Sequence, residues 1–580
     1  MANPLVDDRL VDLVLWEVVE AERLTALERF RDHSRETFEL YVAACRRVAR
    51  EVLFPSYREL DEAGARLVEG RVVLHPKMRE LYAQLRELGV ISATRPEAMG
   101  GAALPVTIAT MAHVYLQAGN LAPAAMCGLT TGAAHLVEAF GDEALRETFA
   151  RPMYDGRWAG TMALTEPQAG SSLADLTTRA TPAGDGTYRI DGAKIFISGG
   201  DQDVTENVVH LTLARIDGAP AGTRGISLFA VPRLRPEGGA LVDNDVEVSG
   251  LIHKIGWRAL PSLALAYGSR GDCRGWLVGE PHRGLAQMFQ MMNEARLMIG
   301  VQGAATASVA YHESLAYARE RTQGRALGEA DPASPPVPLI AHADVRRMLL
   351  RQKAIVDGSL CLAAVTARFA DEAAHGDARA QLLLDLLTPV TKSFPAERGY
   401  EANTLALQIH GGYGYSSEYL PEAWLRDQKL NSIHEGTTGI QGLDLLGRKA
   451  VAKGGAALFA FSAAVREDLE KSALDVRGVR AALDRIGALT AALGARGLAG
   501  DLEGMLAHSA DYLEACSILV IAWMHVKLTN ATPADIPFAS GLRQSARYWL
   551  ATEVPRVEHL AALCEANERS YLDMRDDWFG

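Results

Sequence analysis

Asn431–Arg448 reads NSIHEGTTGIQGLDLLGR, and the rest of the chain takes its meaning from that stretch. A carboxylate, Glu435, stands before Gly436 and the pair Thr437-Thr438. Thr438 and Gln441 have the T-x-x-Q spacing of a helix capping box, ahead of an apolar run at Ile440, Leu443, Leu445 and Leu446. With Thr438 as N-cap, Glu435 falls in the approach turn, close to unpaired amides at a helix N-terminus. That place suits an anion, or a base that must stay ionised until it is used. Spacing alone favours the plainer reading, an acidic residue that helps a helix to start.

Working outward, the length of 580 residues exceeds one ordinary domain, and three or four packed units are expected. Hydrophobic residues at 48% and charged ones at 23% mark a globular chain. The net charge of −13, with no basic stripe, argues against nucleic acid as the main partner. It says little about small anions, because a few local arginines outweigh a global field. Six cysteines (Cys45, Cys127, Cys273, Cys361, Cys516, Cys564) are scattered without CxxC or metal spacing, as suits a reducing compartment. Residues 1–10 are polar and acidic, unlike a signal peptide. The longest apolar run, Ile518–Met524, is far short of the ~20 residues that cross a bilayer. A cytoplasmic protein without bound metal or membrane association is expected.

Residues 8–50 carry helical periodicity, as at Leu10, Leu13, Trp16 and Val19 and then Leu24, Leu27 and Phe30. Helices are expected to about residue 155, broken at Pro96–Gly101 and at Pro105. The character changes near 160. Val208–Leu213, Ile226–Val231 and Leu263–Tyr267 read as strands, and Gly184-Asp185-Gly186 as a hairpin. Helical patterning resumes at Gly284, interrupted by the Pro-rich loop 330–338 and by Gly411-Gly412. Beyond Gly454-Gly455 a further helical segment reaches the C-terminus, with joints expected at Gly494, Gly497, Gly500 and Pro533.

Leu164–Ser172 (LTEPQAGSS) opens the β region as a loop able to offer backbone N–H groups to a phosphate. Lys194–Ser198 (KIFIS) follows as an apolar strand with an aromatic and a terminal hydroxyl. These stretches, with NEAR at 293–296, RTQG at 321–324, QIHGGYG at 408–414 and IHEGTTGIQ at 433–441, occur in the order and spacing of the acyl-CoA dehydrogenases. Over residues 40–450 the chain resembles that family. Its N-terminal helix and extra C-terminal domain resemble the longer bacterial branch that contains 3-methylmercaptopropionyl-CoA dehydrogenases.

The resemblance implies an α+β fold: a helical extension over 1–40, a helical N-domain over 41–158 and a central β domain over 159–281. A helical core domain with the catalytic Glu over 282–452 and a C-terminal helical domain over 453–580 complete it. It implies FAD, with Thr165 at the flavin ring and Ser171 at the pyrophosphate and the pantetheine arm. Phe196 stands where the family has a Trp against the isoalloxazine, and Ser198 for a Thr near the reactive edge. Arg321 would reach the FAD phosphates of a neighbouring subunit, although R-x-Q-F-G is here Arg321-Thr322-Gln323-Gly324, without the Phe. Gln408, Gly411 and Gly412 would hold the dinucleotide across the same interface, and Thr437 and Gln441 would finish that site. Arg296 matches a CoA-binding Arg, while Asn293 replaces the usual Asp, and His434 replaces a residue that is often Tyr and would line the substrate pocket.

Desaturating an acyl thioester removes a weakly acidic α-proton while hydride leaves the β-carbon for flavin N5. A carboxylate is needed on one face of the Cα–Cβ bond, the flavin on the other, and donors at the thioester oxygen. The resemblance assigns Glu435 as base, with substrate binding expected to raise its pKa toward the operating range. In isovaleryl-type members the base sits on a preceding helix. Here Ala295 occupies that position, and Glu294 is one residue away, about 100° round the helix. The product would be a trans-2-enoyl-CoA, with electrons passing to an electron-transfer flavoprotein or a similar carrier. A homodimer is expected before a tetramer, because the C-terminal domain would cover the surface through which shorter members pair dimers. The alternatives are an acyl-CoA oxidase and a non-catalytic flavoprotein of the alkylation-response type. The second calls for a basic surface that residues 455–580, with Glu467, Asp468, Glu470, Asp573, Asp576 and Asp577, do not provide.

Overall fold

Helix starts follow local chemistry. Ser34 and Thr37 form a reciprocal capping box at helix Arg35–Val48, Asn120 caps Leu121–Phe140, and the Asp377 carboxylate accepts from the first amides of Ala378–His410. The structure is a computed structural model that describes residues 3–532 and 537–580, the side chains of 290–292 excepted. It resolves into two compact units.

The first unit comprises Asp32–Pro105 and Tyr115–Ala295. Its helices include Arg35–Val48, Pro76–Glu87 and Leu121–Phe140. The Gly- and Ala-rich stretch of the last is buried, as its small residues imply. A short hairpin, β1 (Arg66–Val68) and β2 (Arg71–Val73), interrupts these helices where the sequence reading has only helix. Tertiary contacts explain it: the buried Asp201 accepts from Arg71 Nε at 3.0 Å and from the Val72 amide at 2.9 Å.

The expected strands form within an eight-stranded sheet. β3 (Trp158–Ala163), β4 (Arg179–Pro182), β5 (Tyr188–Ser198), β6 (Asn207–Ile216) and β7 (Ile226–Pro232) are followed by a separate hairpin, β8 (Leu234–Glu237) with β9 (Ala240–Asp243). β10 (Val246–Leu251), β11 (Ser262–Tyr267) and β12 (Arg274–Leu277) complete the order β10-β11-β5-β12-β7-β6-β3, with β4 beside β5 and β6. The Gly184–Gly186 turn joins β4 to β5 as expected.

β5 carries the one lysine that this sheet buries completely among its described residues. Lys194 Nζ donates to Glu166 Oε1 at 2.8 Å and to the carbonyls of Leu164 and Leu213 at 3.0 and 2.8 Å. Glu166 also accepts from the amides and hydroxyls of Thr177 and Thr178. Burial works against its charge, but Lys194 and these donors outweigh it and hold the carboxyl down at about 2.

The second unit comprises the N-terminal stretch to Arg31, Val106–Val114 and Arg296–Gly580. Two long helices, Ala343–Ala374 and Ala378–His410, pack on each other and on the C-terminal half of Gly284–Glu320. Close approach is enforced by glycine. A Cβ at Gly300 would lie 2.2 Å from the Thr391 carbonyl oxygen, and one at Gly303 2.6 Å from that of Pro395. The C-terminal helices Ala456–Glu470, Arg477–Leu498, Pro537–Thr552 and Arg556–Ala566 surround Ser509–Ala531. Leu502–Ala531 is by length and composition apolar enough to cross a membrane, but its most apolar window is 72% buried inside the bundle, as a core helix would be. Gly494 and Gly497 prove to lie within helix Arg477–Leu498, so Gly500 marks the joint there, and Pro533 lies outside the described residues.

A closed ring of ion pairs binds this bundle to the long helices. Arg351 meets Glu401 and Glu553, Arg398 meets Glu401 and Glu514, and Arg556 meets Glu514 and Glu553. Each charge thus has at least two partners of opposite sign, the arrangement in which partly buried ions repay their desolvation.

Two outcomes are expected. Gly300→Val forces the helix off the Thr391 carbonyl and lowers stability by about 1–3 kcal/mol, whereas Gly487→Ala, where a Cβ meets nothing within 4 Å, raises it by up to ~1 kcal/mol; thermal unfolding distinguishes them. The stability that ionised Glu166 contributes is fully present above its ordinary value of 4.5 and is lost as pH falls toward about 2. Glu166→Gln, less stable at neutral pH, should therefore show a shallower loss of stability across that interval in denaturant titrations.

Candidate active site

The Glu435 carboxylate is positioned by a turn that departs from the sequence expectation. Helix Pro421–Lys429 runs into a 3-10 turn at Leu430–Ser432, and the His434 amide still donates to the Leu430 carbonyl at 3.1 Å. The chain then reverses through two left-handed residues, Glu435 at φ +53° and Gly436 at φ +89°. Thr437, not Thr438, is the N-cap of helix Thr438–Asp444, its hydroxyl accepting from the Ile440 amide at 3.4 Å. The reason is the left-handed pair, which starts the helix one residue earlier than expected and leaves Thr438 to donate to the Glu397 carboxylate.

Gln441 therefore does not close a capping box. It is wholly buried, and its Nε2 donates to the carbonyls of Glu435 at 3.1 Å and Gly436 at 3.3 Å. A Cβ on Gly436 would lie 2.6 Å from that nitrogen. A left-handed glutamate costs on the order of 1 kcal/mol or more and persists only where its surroundings over-determine it. The buried amide supplies that constraint.

Burial raises the Glu435 carboxyl above its ordinary value, while Arg296 and Lys392 pull it back down. Burial also holds the His434 imidazole neutral, pushed down to about 3 with Lys392 adding to the effect. His434 is thus neutral and not a cation. Arg296, expected at CoA, is turned inward: only 5% exposed, it meets Asp444 Oδ2 at 2.8 Å. The rival acid, Glu294, lies 3.1 Å from His135 Nδ1.

The dinucleotide candidates of this unit gather where helix Ala378–His410 ends. Gln408 and the backbone of Gly411 and Gly412 are exposed, with nothing within 4 Å of a Cβ at either glycine, and Gly411 is left-handed at φ +60°. The Arg321 guanidinium lies 5.8 Å from the centre of the Tyr413 ring, the aromatic contact that the missing Phe would otherwise suggest.

In the other unit, Thr165 and Ser171 flank a tight turn in which Glu166 and Ala169 exchange both backbone hydrogen bonds at 3.0 Å. The Glu166–Lys194 pair anchors this loop from below, leaving Ser171 exposed and Thr165 half-buried, its carbonyl accepting from the Ile195 amide at 3.0 Å. Phe196 follows in a bulge of β5 against β11, left-handed at φ +60° and 61% exposed. The bulge turns an aromatic outward that an unbroken strand would have packed. Ser198 is half-buried, paired with Ser262, and its carbonyl accepts from Thr161 Oγ1 at 2.6 Å.

Glu166, Glu397 and Asp444 carry no sign in their sequence context of the roles they take. Lys392 does, as a single charge inside the run Leu386–Ala396, whose other members are apolar or hydroxyl-bearing.

The chain matches the family model "Acyl-CoA dehydrogenase, N-terminal domain" over residues 35–157, the middle domain over 161–267 and the C-terminal domain over 282–450. An "Acetyl-CoA dehydrogenase C-terminal like" model matches residues 461–575. It is 41% identical to the 3-methylmercaptopropionyl-CoA dehydrogenase of Ruegeria pomeroyi over 447 residues, 76% of this chain and 74% of that one. It is 34% identical to the broad-specificity linear acyl-CoA dehydrogenase FadE5 of Mycobacterium tuberculosis, over 86% and 82% of the two chains. The structure of an acyl-CoA dehydrogenase complexed with FAD from Bacillus anthracis superposes with a TM-score of 0.75 at 20% identity, covering 98% of this chain and 93% of that one, a likeness of fold. The chain belongs to the acyl-CoA dehydrogenase family, in the form that carries a further C-terminal helical domain.

Proposed function

We propose that the protein oxidises an acyl-CoA thioester to its trans-2-enoyl-CoA, with Glu435 removing the α-proton and FAD as cofactor. The observation that carries this reading is the Glu435 turn: a carboxylate in a left-handed conformation, fixed through its own carbonyl by a buried amide. Strain of this kind clusters where geometry is functional.

Several features fit a bound flavin dinucleotide. Gly411 and Gly412 leave their backbone open to close approach, Arg321 is an exposed cation beside an aromatic, and Phe196 offers an exposed ring face. Thr165, Ser171 and Ser198 supply polar groups from a loop and strand end held by the Lys194–Glu166 pair. FAD, when bound, supplies the acceptor for the β-hydride. Glu435 accepts the α-proton on its carboxylate, and its amide donates to the thioester oxygen, where negative charge develops. His434, neutral, shapes the pocket wall. Arg296, paired with Asp444, braces helix Gly284–Glu320 against helix Thr438–Asp444 on the substrate side of the site. Electrons then leave to an electron-transfer flavoprotein or a similar carrier, and the chain works as a cytoplasmic homodimer in which Arg321, Gln408, Gly411 and Gly412 serve the partner's cofactor.

Glu435→Gln should keep the flavin but slow its reduction by an acyl-CoA by a factor of ~10²–10⁴ in anaerobic stopped-flow measurements; reduction at the wild-type rate would remove Glu435 from the mechanism. Because the carboxyl is raised in the free protein, the wild-type rate should fall on an acid limb that lies above the ordinary carboxylate range. Gly436→Ala, which adds a Cβ against Gln441 and denies the turn its left-handed glycine, should lower the reduction rate by up to ~100-fold while leaving flavin content unchanged.

A further inference from the structure

The mechanism uses Glu435 but leaves a buried cation of the same unit without a task. Lys392 belongs to helix Ala378–His410, its side chain is 0% exposed, and its Nζ has no hydrogen-bond partner. An ammonium buried without a partner opposes folding, and a methionine of similar length would fill the same space. Packing alone therefore gives no reason for the charge.

The helix segment around Lys392 is fastened to the helices on either side of the Glu435 turn. Gln428 Nε2 donates to the carbonyls of Pro395 at 2.8 Å and Ala396 at 3.2 Å, and Thr438 donates to Glu397. Gly300 and Gly303 press the same segment from helix Gly284–Glu320. Ammonium and carboxylate thus belong to one braced framework. The other charged or titratable groups that act there are few. Arg296 comes from helix Gly284–Glu320, is paired with Asp444 at 2.8 Å, and also pulls Glu435 down. Glu397 comes from the helix of Lys392 itself and is engaged by Thr438. His434 comes from the Glu435 turn and is neutral.

We propose that Lys392 is a positioning residue for the dehydrogenation: its buried ammonium keeps Glu435 ionised in the free protein, ready for the α-proton. The inference rests on the reading of Glu435 as the base. Two shifts support it. Burial brings Lys392 itself down to about 8, with Glu397 and Glu435 opposing the change and Arg296 adding to it. Lys392 in turn is one of the two cations that pull Glu435 down. The ammonium, though lowered, is therefore charged through the neutral range.

The test is the pH profile of flavin reduction by octanoyl-CoA in anaerobic stopped-flow measurements on the holoenzyme, comparing wild type, Lys392→Met and Lys392→Arg. Lys392→Met should retain flavin, unfold at an equal or higher temperature, and move the midpoint of the acid limb upward by about one pH unit. Rates below the limb then drop about tenfold, while the alkaline plateau stays near wild type. Lys392→Arg should keep the limb in place. If Lys392→Met does not fold, Lys392→Gln carries the same expectation. An active Lys392→Met whose limb has not moved, or whose rate drops equally at every pH, overturns this proposal alone. A wild-type flavin bleached by no acyl-CoA overturns the Glu435 reading and this proposal with it.

Discussion

The hydrogen bonds from Gln441 Nε2 to the carbonyls of Glu435 and Gly436 are the constraint on which the site depends. They hold a glutamate in the left-handed region, where a free chain would seldom leave it. They also require a helix directly after the turn, because Gln441 reaches back only from the first turn of Thr438–Asp444. That helix in turn carries Asp444, which pairs with Arg296 of helix Gly284–Glu320. One buried amide thus ties backbone conformation, helix placement and local charge together.

The same economy recurs in the β domain, where Lys194 and Glu166 form a buried pair. A buried ion pair is a weak source of net stability, but it is exacting about geometry. Every oxygen and most of the protons in this pair are engaged by named backbone or hydroxyl groups, so the Thr165–Ser171 loop has one conformation to adopt. The bulge at Phe196 then presents an aromatic ring that the strand alternation would otherwise have hidden. Rigid supports placed beneath exposed chemistry are what a pre-organised site requires.

The sequence made the domain order and most strands and helix starts legible, because apolar periodicity and turn residues report them directly. Gly284 begins a helix, Gly184–Gly186 turns a hairpin, and Ala378–His410 stops at Gly411. Three things were not legible. The β1–β2 hairpin exists because Asp201, some 130 residues on, accepts its hydrogen bonds. The cap at Thr437 instead of Thr438 follows from backbone angles that spacing does not encode. The internal partners of Arg296 and Gln441, Asp444 and the carbonyls of Glu435 and Gly436, are set by packing that a motif does not report. Lys392 was visible as a charge in an apolar run, but its relation to Glu435 needed the fold.

The most direct test of the central claim is an anaerobic titration of the purified protein with saturated acyl-CoAs from butanoyl to hexadecanoyl, followed by flavin absorbance. The account expects bound flavin, and bleaching by at least one thioester with formation of the enoyl product. Flavin that no member of the series bleaches would contradict it, and a protein that binds no flavin at all would contradict the assignment of its cofactor.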